Sequence, residues 1–185
     1  MSIILRACAR ILSRPAVVNW LIRRAARTPY TPIITDDLLY MDRFWLFNPY
    51  PAMSSGAKNW FPISIRLHHI HLPDQDRHLH DHPWNARTII LRGWYKEDRR
   101  VVSTNSTMFD RALNARVPLS YLEDYSRIAG DTAALQFGEY HRITEVSPGG
   151  VWTLFVTGKY RGTWGFMVDG AKVQWRQYLG LEPKP

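Results

Sequence analysis

The tetrapeptide Ser147-Pro148-Gly149-Gly150 falls between two short runs rich in β-branched and apolar residues, HRITEV before it and VWTLFVTGK after it. Proline holds φ at about −65° and glycine accepts positive φ, so these four residues reverse the chain and the runs read as the arms of a hairpin. The same punctuation recurs from about residue 38 onward, where Gly, Pro, Asn and Asp interrupt β-branched and aromatic runs at intervals too short for helices. The pattern predicts strands over 63–72, 88–96, 133–137, 141–146, 151–159 and 163–168, with Asp169-Gly170 as a further turn. Residues 105–125 show no clear alternation and are expected to form a long excursion. The fold class expected is all-β, a sandwich or barrel of antiparallel strands.

Ahead of the strands the periodicity changes. Ile4, Cys8, Ile11 and Leu12, then Val17, Val18, Leu21, Ile22 and Ala25, recur at near-helical spacing with Arg6, Arg10, Arg14, Arg23 and Arg24 between them. Ser13 followed by Pro15 predicts that one helix ends there and a second is capped, because proline is tolerated only in a first turn. The expected organisation is therefore a basic amphipathic helical arm over 1–30 and one domain over 31–180, which suits a chain of 185 residues. An arm of this kind packs on its own domain or on a second subunit. An Arg-rich, acid-free segment also describes a surface-binding helix or an organelle-targeting segment. No stretch approaches the roughly 18 apolar residues of a membrane span, and no small-residue cleavage site follows a charged start, so neither a span nor a secretory signal is expected.

Charge bears on partners. The net charge is +8, but residues 1–35 hold six Arg and no acid, leaving 18 basic against 16 acidic residues beyond them. A module gripping nucleic acid along a face would carry its basic excess on the body, so contact with nucleic acid or a membrane is confined to residues 1–28. The single cysteine, Cys8, rules out an internal disulfide framework and a Cys-rich zinc site, which fits a reducing, cytoplasmic compartment. No Ser-His-Asp arrangement, phosphate-cradling Gly loop or dinucleotide fingerprint is present.

Six of the seven histidines lie between residues 68 and 82. In extended chain alternate residues share a face, so His78, His80, His82 and Trp84 point one way, and a pair at i and i+2 can approach one ion. A third ligand must come from elsewhere, and His141 is the one histidine outside the cluster. His68, His69 and His71 alternate on a neighbouring strand, where one parity at most faces the same space. Asp81 has the opposite parity to its histidine neighbours and is a group that could orient a ligand imidazole. Arg66, Arg87, Arg92 and Lys159 are candidate anion clamps. Tyr140 is a candidate proton donor or anchor, although its alternation turns it away from His141.

These residues resemble the cupin superfamily of double-stranded β-helix (jelly-roll) proteins. His80-Asp81-His82, then Pro83-Trp84-Asn85, then Ala86, then six residues and Gly93 follows the spacing of the first cupin motif, with Ala86 where the family has Glu. Gly130, Gly138 and His141 match the second motif, while Gln136 and Glu145 depart from it. The resemblance covers roughly 60–170. More closely, LHDHPW, ILRGWY, YHRITEV, WTLFVTG and WGF are similar to a group of small cupin-like proteins of tailed-phage genomes, a match that names no activity and makes the compartment a host cytoplasm.

The resemblance implies a cupin jelly roll holding a divalent metal on His80, His82 and His141; from the spacing of the residues, His78, Asp81 and Trp84 are expected around the ligands, and Arg66 and Tyr140 are the candidate catalytic residues. Three His without the Glu is the pattern of the cysteine-dioxygenase-like branch, which implies iron(II); zinc, nickel or manganese also suit the donor set. Three neutral imidazoles leave the ion's charge uncompensated, which favours a small anionic substrate and leaves room for O2. The expected function is an iron-dependent oxygenase. A non-redox isomerase or hydrolase and a binding or regulatory protein acting through its basic arm are the alternatives, and a homodimer is compatible with either.

Overall fold

The computed structural model describes residues 3–35, 37–49, 61–111 and 114–181. Helices α1 (Ile3–Leu12) and α2 (Pro15–Ala25) are followed by strands β1 (Pro29–Thr35), β2 (Leu38–Phe47), β3 (Ser64–Ile70), β4 (Trp84–Arg92), β5 (Trp94–Asp110), β6 (Ala115–Ile128), β7 (Thr132–Leu135), β8 (His141–Val146), β9 (Val151–Tyr160), β10 (Gly165–Val168) and β11 (Ala171–Gln174), and by the short helix α3 (Trp175–Tyr178). Six strands form one sheet in the order β1-β2-β3-β9-β4-β7, three form a facing sheet in the order β6-β5-β8, and β10 pairs with β11. Among the described residues every strand pairing is antiparallel. The all-β jelly-roll class with an N-terminal helical arm, expected from the sequence, is the architecture these strands build.

The six-stranded sheet is covered on both faces, which explains why β4 and β9 read as near-continuous apolar runs. On its outer face Leu67, Ile89, Leu91 and Leu154 pack with Ala9, Val18, Leu21 and Ala25 of the two helices. On its inner face Arg66, His68, Thr88, Thr153 and Phe155 look into a cavity between the sheets. Since Leu21 is buried in the helix–sheet seam, Leu21→Ala is expected to cost about 2–4 kcal/mol in urea unfolding. An unchanged midpoint would mean that the helices do not hold the sheet.

Several local expectations are corrected. Pro15 opens α2 as anticipated, but Ser13 does not cap it; its hydroxyl donates back to the Arg10 carbonyl at 3.0 Å, and the N-cap residue is Arg14. The expected strand over 88–96 is two strands broken at Gly93, where φ is +81°. A Cβ there would lie 2.5 Å from Ser147 Oγ and 2.7 Å from the Gly150 carbonyl, so glycine marks the corner at which the chain crosses between sheets. Ser147–Gly150 does reverse the chain, yet it closes no hairpin: β8 pairs with β5, and β9 with β3 and β4. Asp169-Gly170 does close one, with φ of 48° and 83° between the paired Val168 and Ala171. The stretch over 105–125 lies largely in the long β5–β6 ribbon. No described helix is long and apolar enough to cross a membrane.

Candidate metal centre

His80 lies just outside the regular strands, but it exchanges both backbone hydrogen bonds with His141 of β8, each at 2.9 Å, and bridges Phe166 of β10. This bridge brings the first histidine pair to the third, some sixty residues later in sequence. His82, two residues on, shares the face of His80. One ring nitrogen from each of His80, His82 and His141 falls within 4.8 Å of the others. His82 Nε2 and His141 Nε2 are 2.9 Å apart. Two imidazole nitrogens bound at right angles to one ion, each at about 2.1 Å, lie about 3.0 Å apart, so this pair fits a shared ion.

Carboxylates behind the ligands complete the arrangement. Glu97 of β5 is fully buried, and its Oε2 lies 3.2 Å from His141 Nδ1. Burial alone would raise the Glu97 pKa, but His141, Arg99 and Arg127 outweigh it and hold it down to about 2. An ionised carboxylate only accepts, so His141 Nδ1 carries the proton, and the tautomer this selects in a neutral ring is the one that presents Nε2 to an ion. Asp74 lies near His80 without bonding it, its Oδ2 3.7 Å from Nδ1. Asp74 is itself fixed by the Ile143 N–H at 2.7 Å and by the Tyr40 hydroxyl. The three-imidazole donor set expected from the sequence holds no carboxylate of its own, and Glu97 stands directly behind one of its rings.

Desolvation lowers the pKa of two of the imidazoles. Burial pulls the His80 pKa down from 6.5 to about 4, with His141 adding to the shift and Asp74 opposing it. His82 is lowered well below the ordinary range by burial, then by its histidine neighbours and Arg66. Neutral rings with aligned lone pairs are what a divalent ion requires.

The cluster opens on a cavity of about 320 Å³. Arg66 lines it, with its guanidinium 4.7 Å from the Trp84 ring centre and 5.1 Å from that of Trp45. Trp84 also lines it and runs nearly parallel to His82. His68, on the inward parity of β3, stacks on Phe155 with ring centres 5.1 Å apart. Its Nε2 is buried without a hydrogen-bond partner among the described residues, and burial lowers its pKa well below 6.5.

Other candidates lie elsewhere. Tyr140 does not line the cavity; it sits in a separate recess with Arg100, and burial with Asp81 nearby pushes its pKa up to about 12. Asp81 does not reach a ligand imidazole: its carboxylate takes the Gly165 N–H at 2.7 Å and Lys172 Nζ at 2.6 Å, anchoring the β10–β11 hairpin. His78 bonds the Tyr178 hydroxyl at 3.0 Å rather than joining the cluster. Arg87 is turned to Thr132, Arg92 to Asn19, and Lys159 is exposed. Sequence reasoning missed Glu97, Asp74 and the inward placement of His68.

No protein-family model matches the chain, and no curated protein matches it. Among solved structures it is similar to Fe(II)-HppE with the alternative substrate (S)-1-HPP, with a TM-score of 0.43 and 13% identity over 72% of this chain and 57% of that one. It is also similar to the formate complex of Lactobacillus farciminis oxalate decarboxylase, with a TM-score of 0.47 and 15% identity over 84% of this chain and 36% of that one. A further oxalate decarboxylase structure gives a TM-score of 0.48 and 13% identity over 83% of this chain and 32% of that one. The chain thus spans between about a third and just over half of the length of these proteins.

Proposed function

We propose that the protein is a metal-dependent oxidoreductase that takes a small anionic substrate, with iron(II) held by His80, His82 and His141. The observation that carries this reading is the convergence of the three imidazole nitrogens on the wall of a cavity that also holds a buried arginine. Bound there, iron(II) supplies O2 activation, the chemistry that the protein's own side chains lack.

The chain's residues supply the rest. Glu97 orients the His141 ring and fixes its tautomer, and Asp74 places a carboxylate near His80. Arg66, held against Trp45 and Trp84, sets a positive potential in a space walled largely by apolar groups, and this draws in a carboxylate or similar anion. His68 offers its Nε2 as a hydrogen-bonding group to the substrate. Phe155 and Phe166 exclude water from the reacting end of the cavity.

The test is elemental analysis of untagged protein purified without chelators, beside the His82→Ala and His141→Ala variants. Close to one equivalent of iron, lost in both variants, is the expected result and leads to an O2-uptake screen over small carboxylic acids. Zinc or nickel in its place replaces the redox reading with Lewis-acid isomerase or hydrolase chemistry. If no metal binds even after anaerobic loading with iron(II), the reading fails and a binding protein acting through residues 1–28 takes its place.

A further inference from the structure

The outward parity of β3 carries a second set of donors. Asp42 of β2 is paired directly across the ladder with His69 of β3, so both side chains stand on the sheet face away from the cavity. His71 follows two residues later on the same parity, its N–H bonded to the Tyr40 carbonyl at 2.9 Å. One donor atom from each of Asp42, His69 and His71 falls within 4.8 Å of the others. His71 Nε2 lies 2.9 Å from Asp42 Oδ2, and the two imidazole centres are 4.0 Å apart.

We propose that Asp42, His69 and His71 form a second divalent-metal site, for zinc or a similar borderline ion, independent of the cavity cluster. The support around His69 is what a ligating imidazole needs. Its Nε2 lies 3.0 Å from the Gly149 carbonyl, and a carbonyl only accepts, so Nε2 donates and Nδ1 keeps the lone pair. The ring is stacked on Trp152 at 4.2 Å with planes 10° apart, which fixes its orientation. A Cβ on Gly150 would lie 2.7 Å from His69 Nε2, so the Ser147–Gly150 turn leaves room for this ring only with glycine there. Arg92, the nearby cation, is held by Asn19 Oδ1 at 2.5 Å on the helical side.

Two imidazoles and a carboxylate suit zinc, nickel or copper better than calcium or magnesium, and the carboxylate supplies negative charge that the cavity cluster has only behind its ligands. The side chains of His71 and Asp42 are 27% and 34% exposed, so an ion enters from solvent and its remaining positions are filled by water. A bound ion would join β2, β3 and, through the Gly149 contact, the turn that crosses between the sheets.

The experiment titrates Zn2+ into metal-free, untagged full-length protein against a chromogenic chelator, in wild type, His82→Ala, His71→Ala and the double variant. Two equivalents in wild type, one in each single variant and none in the double variant is the expected result. Thermal unfolding gives a second readout: Zn2+ raises the Tm of His82→Ala and leaves that of the double variant unchanged. Asp42→Asn, which keeps the side-chain shape, is expected to weaken the outer site and so covers the case in which His71→Ala does not fold. A single equivalent lost with His82→Ala overturns the outer site and leaves the cavity site standing. A single equivalent lost with His71→Ala does the reverse. No zinc bound by wild type overturns the outer site as well.

Discussion

Replacing Glu97 with glutamine is expected to lower metal affinity about 10- to 100-fold, and replacing it with alanine to cost in addition about 3–5 kcal/mol of stability. Glu97 is fully buried and serves three partners at once: Arg127 Nε at 2.8 Å, Arg99 Nη2 at 3.0 Å and His141 Nδ1 at 3.2 Å. Glutamine keeps one acceptor oxygen but loses the charge, so His141 is no longer held as the Nδ1–H tautomer and its Nε2 is free to carry the proton instead. Alanine removes both oxygens and leaves two partly buried guanidinium groups facing each other without their counter-ion. Competition titration with Zn2+ or anaerobic iron(II) reads the first effect, and urea unfolding of the metal-free protein reads the second. If Glu97→Gln binds metal as tightly as the parent, the carboxylate does not orient His141 for an ion.

Glu97 also shows where the sequence stops being informative. The histidine cluster was legible because i, i+2 spacing is a local property of extended chain, and because His141 stood alone in a recognisable second motif. The carboxylates behind them follow no motif. Glu97 lies in YKEDRR, a charged run that reads as a solvated strand, and only the pairing of β5 with β8 turns its side chain inward onto His141. The one available signal was parity with Tyr95, which is buried on the same face. His68 was legible in part: the alternation of β3 required one face to be inward, but which face depended on the helices that cover the other. The same reason accounts for the misread turn at Ser147–Gly150. Its glycines announce a reversal, whereas the choice between a hairpin and a crossing of sheets is made by the partners of β8 and β9, far away in sequence. The β5–β6 ribbon was missed because residues such as Val102, Phe109 and Leu122 are exposed and no alternation is imposed on it.

The metal-free protein is expected to lose stability as pH falls from about 6.5 to about 4, by about 3 kcal/mol from His80 alone. In the folded protein burial holds this ring neutral down to about 4, against an ordinary value of 6.5. Between those values the unfolded chain binds a proton that the folded chain refuses, so each step toward acid favours unfolding, and the effect saturates below about 4. His82 and His68 are displaced in the same direction by burial and add to the loss. Glu97 acts in a lower window: its folded pKa of about 2 lies below the ordinary 4.5, so its contribution is complete above 4.5 and disappears as pH falls toward 2. A bound ion occupies the same lone pairs and favours the folded state, so the loaded protein resists acid until protons displace the metal. Urea midpoints of the metal-free protein at pH 7.5, 6.0 and 4.5 check this directly, and His80→Asn, which has no proton to bind there, flattens the slope. A midpoint that does not move over that range would mean that the imidazoles titrate as they do in water, and the neutral, ligand-ready cluster would then have no physical basis.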